Sequence, residues 1–255
     1  MKIISLNTWG GRAGKDGLLS FLKDQKDTID IFCLQEIWSA PYEYLEGVDA
    51  GGKKINNQET MIYGMQEISC LLENYNTVFH PHHLDNYGLM MSVKNNLNII
   101  KEGEVFVHKH KGYIPSGDVG RHARNIQYIE TTLNNKPLTV INFHGLWNGK
   151  GKTDSEDRIE QSKNIIDFIN KLEGEVVLCG DFNLLPDTQS LKMFEKAGLR
   201  NLISEHNIKS TRTSYYTKTE KFADYIFVSK GINVKDFKVL PDEISDHSPL
   251  LIEII

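Results

Sequence analysis

The chain has 255 residues, of which 40% are hydrophobic, so it is long enough to bury a large core. Its formal net charge of -5 excludes the overall basic field that drives non-specific binding to nucleic acids, although a local basic groove is compatible with it. Three cysteines in apolar runs predict buried free thiols in a reducing compartment. The sequence has no recognisable signal peptide or membrane-spanning run, so we expect a soluble cytoplasmic protein with no membrane partner and no obligate protein partner.

Short apolar runs bounded by Gly, Asn, Asp or Pro predict ten β-strands, which are enough for two sheets. In chain order they cover residues 2–7, 30–35, 87–93, 97–107, 126–133, 138–143, 176–179, 223–228, 235–240 and 250–254. Residues 31–34 and 176–179 are continuously apolar, which is typical of central strands that are covered on both faces.

Four helices are predicted between these strands, because apolar residues recur there at helical spacing. Their markers are Leu18, Leu19 and Leu22; Met61, Met65, Ile68, Leu72 and Tyr75; Ile159, Ile165, Ile166, Ile169 and Leu172, in a helix that begins near Asp154; and Leu191 with Phe194. The longest irregular connections, 41–57, 108–122, 146–153 and 204–222, are of a length that usually carries function or is mobile. No repeat or linker divides the chain, so we expect one domain over residues 1–255.

Glu36 follows the apolar run 31–34 of the second predicted strand, with Gln35 between them. A carboxylate in this position needs a partner, because burying an isolated charge is very costly. A divalent cation with oxygen ligands satisfies this need, and so does an ion pair with a Lys or Arg across the sheet. Both interpretations of Glu36 remain open at this point.

Asp181 and Asn183 follow the strand at 176–179, with Gly180 between that strand and Asp181. Alternate residues of an extended segment face the same side, so both polar side chains can reach one site. There an Asp can orient or deprotonate a water molecule, and an Asn amide can hold a phosphate oxygen. An ordinary Asx turn would use the same two residue types.

Asp246 and His247 precede the last predicted strand, and Asp224 begins an earlier one. The imidazole of His247 can donate a proton or stabilise developing negative charge, Asp224 can accept its other ring N–H, and Asp246 can meet a metal. A surface turn would look similar. His144 and Asn7 also end strands, and the coincidence of all these residues at strand ends indicates metal-assisted attack on a phosphate ester.

Six short motifs in a fixed order resemble those of the endonuclease/exonuclease/phosphatase superfamily, whose fold is DNase I-like. They lie at residues 6–9, 34–36, 142–144, 180–183, 224–227 and 245–247. The resemblance implies an α/β fold, namely a four-layered α/β sandwich in which two packed mixed β-sheets are flanked by helices. It also implies that the site lies at one edge of the sandwich.

The resemblance further implies a role for each residue. Glu36 is the main Mg²⁺ ligand, and Asn7 and Asp246 complete the metal shell directly or through water. The residues that contact the water or the phosphate, or stabilise charge, are His144, Asp181, Asn183, Asp224 and His247. Oxygen and amide ligands favour Mg²⁺, with Mn²⁺ as the alternative, over zinc, and the number of metal ions remains open.

The substrate-binding residues are predicted from basic and aromatic positions near these motifs. Arg121 and Arg124 lie in a basic segment that grips a phosphate or is an ordinary solvated loop. Trp147 recognises a base, sugar or headgroup, or covers the edge of the core. A second loop, at 204–222, mixes basic and aromatic residues that suit stacked bases and backbone phosphates or form an ordinary exposed hairpin: Lys209, Arg212, Tyr215, Tyr216, Lys218 and Lys221.

The sequence therefore predicts a metal-dependent hydrolase of phosphate esters. A phosphodiesterase or nuclease that works by in-line attack of an activated water is the leading hypothesis, with nucleic acid as a candidate substrate. The alternatives are an enzyme that acts on a small phosphorylated metabolite or a lipid headgroup, and a catalytically silent binding protein on the same fold.

Overall fold

A computed structural model describes residues 1–41, 46–50 and 53–255, and its largest features are two six-stranded mixed sheets. The first sheet has the order β13-β14-β1-β2-β6-β5. Its strands are β1 (Lys2–Asn7), β2 (Ile31–Trp38), β5 (Tyr75–His83), β6 (Tyr87–Lys94), β13 (Val234–Val239) and β14 (Leu250–Ile254). Only β1 and β2 pair in parallel in this sheet.

The second sheet has the order β11-β12-β10-β9-β8-β7. Its strands are β7 (Lys101–His108), β8 (Arg124–Leu133), β9 (Lys136–His144), β10 (Glu175–Asp181), β11 (Leu199–Asn201) and β12 (Asp224–Ser229). Here β9 and β10 are the parallel pair. A separate ribbon pairs β3 (Asp49–Ala50) with β4 (Lys53–Lys54).

Helices cover the outer faces of both sheets. The helices α1 (Lys15–Gln25) and α2 (Gly64–Leu71) pack on the first sheet, and α3 (Glu156–Ile169), α4 (Gln189–Lys196) and α5 (Leu202–Glu205) pack on the second. Successive side chains of a strand point to opposite faces of the sheet, so a sheet covered on both faces buries both sets. In β1, Ile3 faces the other sheet and Ile4 faces the helices. The layers run helix, sheet, sheet, helix, which confirms the predicted four-layered α/β sandwich.

The predicted strands do not include the edge strands β5 and β11 or the two-residue strands β3 and β4, and the helix predicted before β5 is too long. Tyr75 was expected on a helix with Met61, but α2 spans only Gly64–Leu71 and Tyr75 begins β5. β5 has few apolar residues and contains Pro81, which cannot donate to a ladder. Such a strand is tolerated because β5 lies at the edge of its sheet.

Other differences are local. The third helix begins at Glu156 behind the capping residue Ser155, and Asp154 instead accepts hydrogen bonds from the backbone N–H groups that open α4. Cys70 is exposed, although Cys33 and Cys179 are buried as expected. The predicted connection at 41–57 contains the β3–β4 ribbon, and its residues 42–45 and 51–52 lie outside the described residues. Within the described ranges, none of the helices has the length and apolar content needed to cross a membrane.

A buried network of side-chain amides lies between the two sheets and joins them by hydrogen bonds. Gln35 of β2 donates to Oδ1 of Asn142 on β9 at 2.7 Å. The amide nitrogen of Asn142 donates in turn to the carbonyl of Leu34 at 3.0 Å and to Oε1 of Gln127 at 3.2 Å. Because buried amides are costly when unpaired, this network favours one relative position of the two sheets.

Replacing Asn142 by Leu tests this network. We expect the free energy of unfolding to fall by at least about 1–3 kcal/mol, because the buried amides of Gln35 and Gln127 each lose a hydrogen bond to Asn142. Chemical denaturation measures the change. The control is Gln66→Leu, which removes an amide-to-carbonyl bond at an exposed position and should change stability by less than about 0.5 kcal/mol. Equal effects of the two substitutions would contradict a structural role for the network.

Candidate active site

The predicted site residues converge at one edge of the sandwich because the strands that carry them end there. In the second sheet, Asp181 at the end of β10 is paired with His144 on one side and with Asp224 on the other. In the first sheet, Asn7 ends β1 and Glu36 lies in β2 next to it. The structure therefore brings together carboxylates that are far apart in the sequence.

The backbone at several of these positions is constrained. Glu36 has φ of 59° and lies in the irregularity of the β2–β6 ladder, and Asn183 has φ of 54°. Both values lie in the left-handed region, which non-glycine residues adopt at an energetic cost and often at functional sites. Gly180, with φ of 143°, allows the close approach of β9, since a Cβ there would lie 1.9 Å from the carbonyl oxygen of Phe143. Oδ1 of Asp181 accepts from the backbone N–H of Asn183 at 2.8 Å, so the Asx turn is present within the site.

Asn7 connects carboxylates of the two sheets. Its amide nitrogen donates to Oε1 of Glu36 at 3.1 Å and to Oδ2 of Asp181 at 2.9 Å. Its Oδ1 accepts from the backbone N–H of Trp9 at 2.9 Å. In this orientation, Asn7 holds the two carboxylates in place and its oxygen is already engaged.

His247 is held between carboxylates. Its Nδ1 lies 2.8 and 2.9 Å from the two oxygens of Asp224, which leaves Nε2 directed towards Oδ2 of Asp181 at 3.7 Å and Oδ1 of Asp246 at 3.6 Å. Burial and the nearby Arg212 act to lower the pKa of His247. The carboxylates around it outweigh both effects, so its pKa is raised above the ordinary value.

His144 is held by a guanidinium instead. Nη1 of Arg124 lies 3.3 Å from Nδ1 of His144, and Nη2 donates to the carbonyl of Gly120 at 3.1 Å. Because a guanidinium only donates, Nδ1 is the acceptor and Nε2 carries the hydrogen. Burial and Arg124 lower the pKa of His144, so the ring is a neutral donor.

The two central carboxylates differ in their electrostatic surroundings. Burial would raise the pKa of Asp181, but His247, His144 and nearby cations hold it below its ordinary value, so the group is ionised. Burial raises the pKa of Glu36, and Arg12 with the hydrogen bond from Asn7 offsets this only in part. Glu36, whose side chain is 18% exposed, is therefore only partly compensated by the positive groups around it.

The residues fit a divalent cation. Oδ1 of Asp246 is buried and has no hydrogen-bond partner, and Glu36 is incompletely compensated, so two carboxylates have unmet demand for positive charge. Oxygen donors of this kind match Mg²⁺ or Mn²⁺. Asp181, Asp224 and His247 also place ligand atoms within 4.8 Å of one another, and two of them, Asp224 and His247, are hydrogen-bonded to each other.

A cavity of about 230 Å³ opens onto these side chains. Three of its lining residues are carboxylates, and six are cations: Arg12, Lys53, Arg124, Lys152, Arg212 and Lys218. The lining also contains Asn183 and the aromatic rings of Trp9, Trp147 and Tyr215. The excess of positive charge suits an anionic ligand.

The predicted substrate-binding residues divide in two. Arg124 and Trp147 line the cavity, whereas Arg121 is exposed and is not among its lining residues. Sequence reasoning did not select Lys152, which is buried, donates to the carbonyl of Phe222 and lies over the ring of Tyr216. The sequence indicated Lys152 only through its position near Trp147 in the predicted connection 146–153. Lys53, which lies 3.8 Å from the ring centroid of Trp9, had no indication in the sequence.

Comparisons with known proteins agree with this architecture. The sequence matches the model of the Endonuclease/Exonuclease/phosphatase family over residues 4–247. No curated protein matches the chain at a significant level. Among solved structures, an endonuclease/exonuclease/phosphatase family protein from Bacteroides thetaiotaomicron has a TM-score of 0.75 at 17% identity, with 100% of this chain and 94% of that chain covered.

Two further structures have named activities or ligands. A mannosyl-6-phosphatase from Bacteroides thetaiotaomicron has a TM-score of 0.72 at 17% identity, and the match covers 100% of this chain and 99% of that chain. D. rerio TDP2, complexed with a single-strand DNA product, has a TM-score of 0.66 at 16% identity and coverage of 100% and 98%. At this level of identity, the likeness demonstrates a shared fold.

Lys152 gives a test of the electrostatics of the cavity. Burial, followed by the repulsion of Arg212, lowers its pKa to about 8, whereas an unfolded lysine titrates near about 10.4. The unfolded chain therefore binds this proton more tightly than the folded chain does. The contribution of Lys152 to the free energy of unfolding increases as the pH rises from about 8 to about 10.4. In the metal-free protein, ¹³Cε-lysine NMR should show one resonance that titrates near pH 8 and is absent in Lys152→Arg. Titration of that resonance above pH 10 would contradict the assigned burial.

Proposed function

Because the chain belongs to the endonuclease/exonuclease/phosphatase family, we propose that it is a divalent-metal-dependent hydrolase of phosphate esters. The observation that carries the proposal is the arrangement of His247. Asp224 holds one ring nitrogen, and the other faces Asp181 and the unpartnered oxygen of Asp246 across the cavity. A carboxylate, a positioned imidazole and an oxygen donor for a metal are the groups that water attack on phosphorus requires.

We assign the metal to Glu36 and Oδ1 of Asp246, with Asn7 in a supporting role. When bound, a Mg²⁺ or Mn²⁺ ion would polarise a phosphoryl oxygen and offset the charge of the leaving group. Asn7 positions the carboxylate of Glu36 by donating to it and also links it to Asp181. A bound cation would supply the compensation that Arg12 and Asn7 give Glu36 only in part.

Asp181 is assigned to the attacking water. Its carboxylate is ionised, and its Oδ2 faces the ring nitrogens of His144 and His247 at 3.7 Å each. A carboxylate with a lowered pKa is a weak base, so we assign it mainly to accepting a hydrogen bond from the water and aligning it with phosphorus. Asn183, which lines the same cavity, would donate its amide to a phosphate oxygen.

The two histidines are assigned to the phosphate in different charge states. His144 is neutral with its hydrogen on Nε2, so it donates a hydrogen bond without carrying charge. His247 is protonated over a wider pH range because Asp224, Asp246 and Asp181 favour its cationic form. Its imidazolium would stabilise the charge that develops on the phosphoryl group in the transition state.

For the substrate, we propose a phosphodiester, with a nucleic acid end or a nucleotide as the leading class. Support comes from the cationic lining of the cavity and from Trp9 and Tyr215, whose ring centroids lie 6.4 Å apart and offer faces for a planar ring. TDP2, which shares the fold, has been seen with a single-strand DNA product. The alternative is a small phosphorylated metabolite or a lipid headgroup, and the mannosyl-6-phosphatase of the same fold favours the sugar phosphate among these.

The assay is hydrolysis of bis-p-nitrophenyl phosphate and p-nitrophenyl phosphate with Mg²⁺, with Mn²⁺ and with EDTA. We expect turnover that requires the metal, and a loss of at least about 100-fold in kcat for Asp181→Asn and for His247→Ala. A panel of oligonucleotides, nucleotides, sugar phosphates and lipid headgroups then ranks the substrate classes by kcat/KM.

Matched controls separate chemistry from folding. Asp167→Asn and His206→Ala make the same substitutions at exposed positions and should retain wild-type turnover. Circular dichroism confirms that each variant is folded. Near-normal turnover by His247→Ala would refute the assignment, and the absence of metal-stimulated turnover on every substrate would favour a silent binding protein.

A further inference from the structure

Arg212 is a buried cation inside the candidate active site. It lies in the connection between α5 and β12, and its side chain is 4% exposed. Its Nη1 forms an ion pair with Oδ2 of Asp246 at 3.0 Å. Arg212 lines the cavity, so it faces the region in which the substrate phosphate is expected.

The surrounding structure fixes the guanidinium from several sides. The ring centroid of Tyr216 lies 4.1 Å from the guanidinium carbon, a distance typical of a cation–π contact. The backbone of Arg212 forms a bridge with His247, and the neighbouring Thr211 accepts a hydrogen bond from the backbone N–H of Ser248 at 3.0 Å. Arg212 is therefore part of the rigid frame of the site and is not an exposed contact for nucleic acid.

The carboxylates of the site differ in the hydrogen-bond donors and positive groups that surround them. Asp181 receives a hydrogen bond from Asn7 and faces two histidines, and Asp224 is bonded to His247. For Asp246, the structure pairs Oδ2 with Arg212 and leaves Oδ1 buried without a hydrogen bond. Arg212 thus satisfies Oδ2, whereas Oδ1 lies 3.6 Å from Nε2 of His247 without a hydrogen bond and can still accept a cation.

We infer that Arg212 is a positioning residue that takes the place of a second divalent cation. It neutralises one oxygen of Asp246, leaves the other for a single metal ion, and adds a fixed positive charge to the cavity that receives the phosphate. In two-metal sites, a second ion about 3.5–4 Å from the first supplies that charge. The inference rests on the proposed function, because it concerns the same metal and the same reaction.

The experiment counts Mn²⁺ ions on the full-length, metal-stripped protein by electron paramagnetic resonance titration, together with turnover of the best substrate. The wild-type protein should bind one Mn²⁺ in the site. The variant Arg212→Gln keeps a hydrogen-bond donor for Asp246 but removes the charge. It should bind Mn²⁺ at least about tenfold more tightly, or bind a second ion, because a repelling cation is gone. Its kcat should nevertheless fall at least about tenfold.

The opposite signs of these two effects distinguish the inference from a purely structural role. An arginine that only braces the fold would, when replaced, leave Mn²⁺ affinity unchanged or weaken it. Arg212→Lys restores the charge and should bind one Mn²⁺ with a Kd within about threefold of wild type. The control Arg200→Gln removes the exposed ion pair with Glu205 and should change neither quantity.

Each result has a defined consequence. Two Mn²⁺ ions on the wild-type protein, or unchanged or weaker Mn²⁺ binding by folded Arg212→Gln, would overturn the role of Arg212 and leave the proposed function intact. If Arg212→Gln does not fold, Arg212→Lys decides, and a Kd more than about tenfold above wild type or a second ion would overturn it. A wild-type protein that binds no Mn²⁺ and hydrolyses no phosphate ester would instead refute the proposed function.

Discussion

The candidate site depends on one constraint, which is that two separate sheets must be held in a fixed relative position. The first sheet carries Asn7 and Glu36, and the second carries His144, Asp181 and Asp224. Apolar packing between sheets is not directional and would tolerate small shifts. The bonds between Gln35 and Asn142 and between Asn7 and Asp181 are directional, and both cross the interface near the site. On the side of the first sheet, the hydroxyl of Ser245 donates to the carbonyl of Asn7 and so positions the segment that carries Asp246 and His247.

The second constraint is electrostatic, because the site buries several charges of both signs. Such a cluster is tolerated only if each charge has partners. Asp181 meets this condition within the protein, since histidines and cations surround it and hold its pKa low. Glu36 meets it only in part, because burial raises its pKa and Arg12 with the hydrogen bond from Asn7 does not fully offset that effect. This difference between two neighbouring carboxylates is a physical basis for assigning water alignment to one and metal binding to the other.

The sequence predicted the parts of the site that lie on regular strands. The order of the motifs placed Asn7, Glu36, His144, Asp181 and Asp224 correctly at one edge, because strand ends are recognisable and the parallel pairs bring them together. It did not predict Lys152 or the ion pair of Arg212, whose positions depend on how irregular connections fold back over the site. It also missed β5, because an edge strand with little apolar character resembles a loop. The sequence also placed Arg121 at the substrate, but this residue is exposed, because the charge of a loop residue does not reveal which way its side chain points.

The connection between α5 and β12 contacts Asp246 of the candidate site and also lines the open part of the cavity. Loops around a reaction centre are usually free to change while the strands conserve the geometry. Here, however, Thr213 donates its hydroxyl to the carbonyl of Ser245, and Arg212 pairs with Asp246, so the first half of this connection is tied to the metal side of the site. The following residues are less restrained, and Tyr215 is 44% exposed while its ring lies near that of Trp9 at the cavity. A change of substrate could therefore be accommodated at Tyr215, whereas the ring of Tyr216 packs on the guanidinium of Arg212 and a change at Arg212 would alter the charge of the candidate site itself.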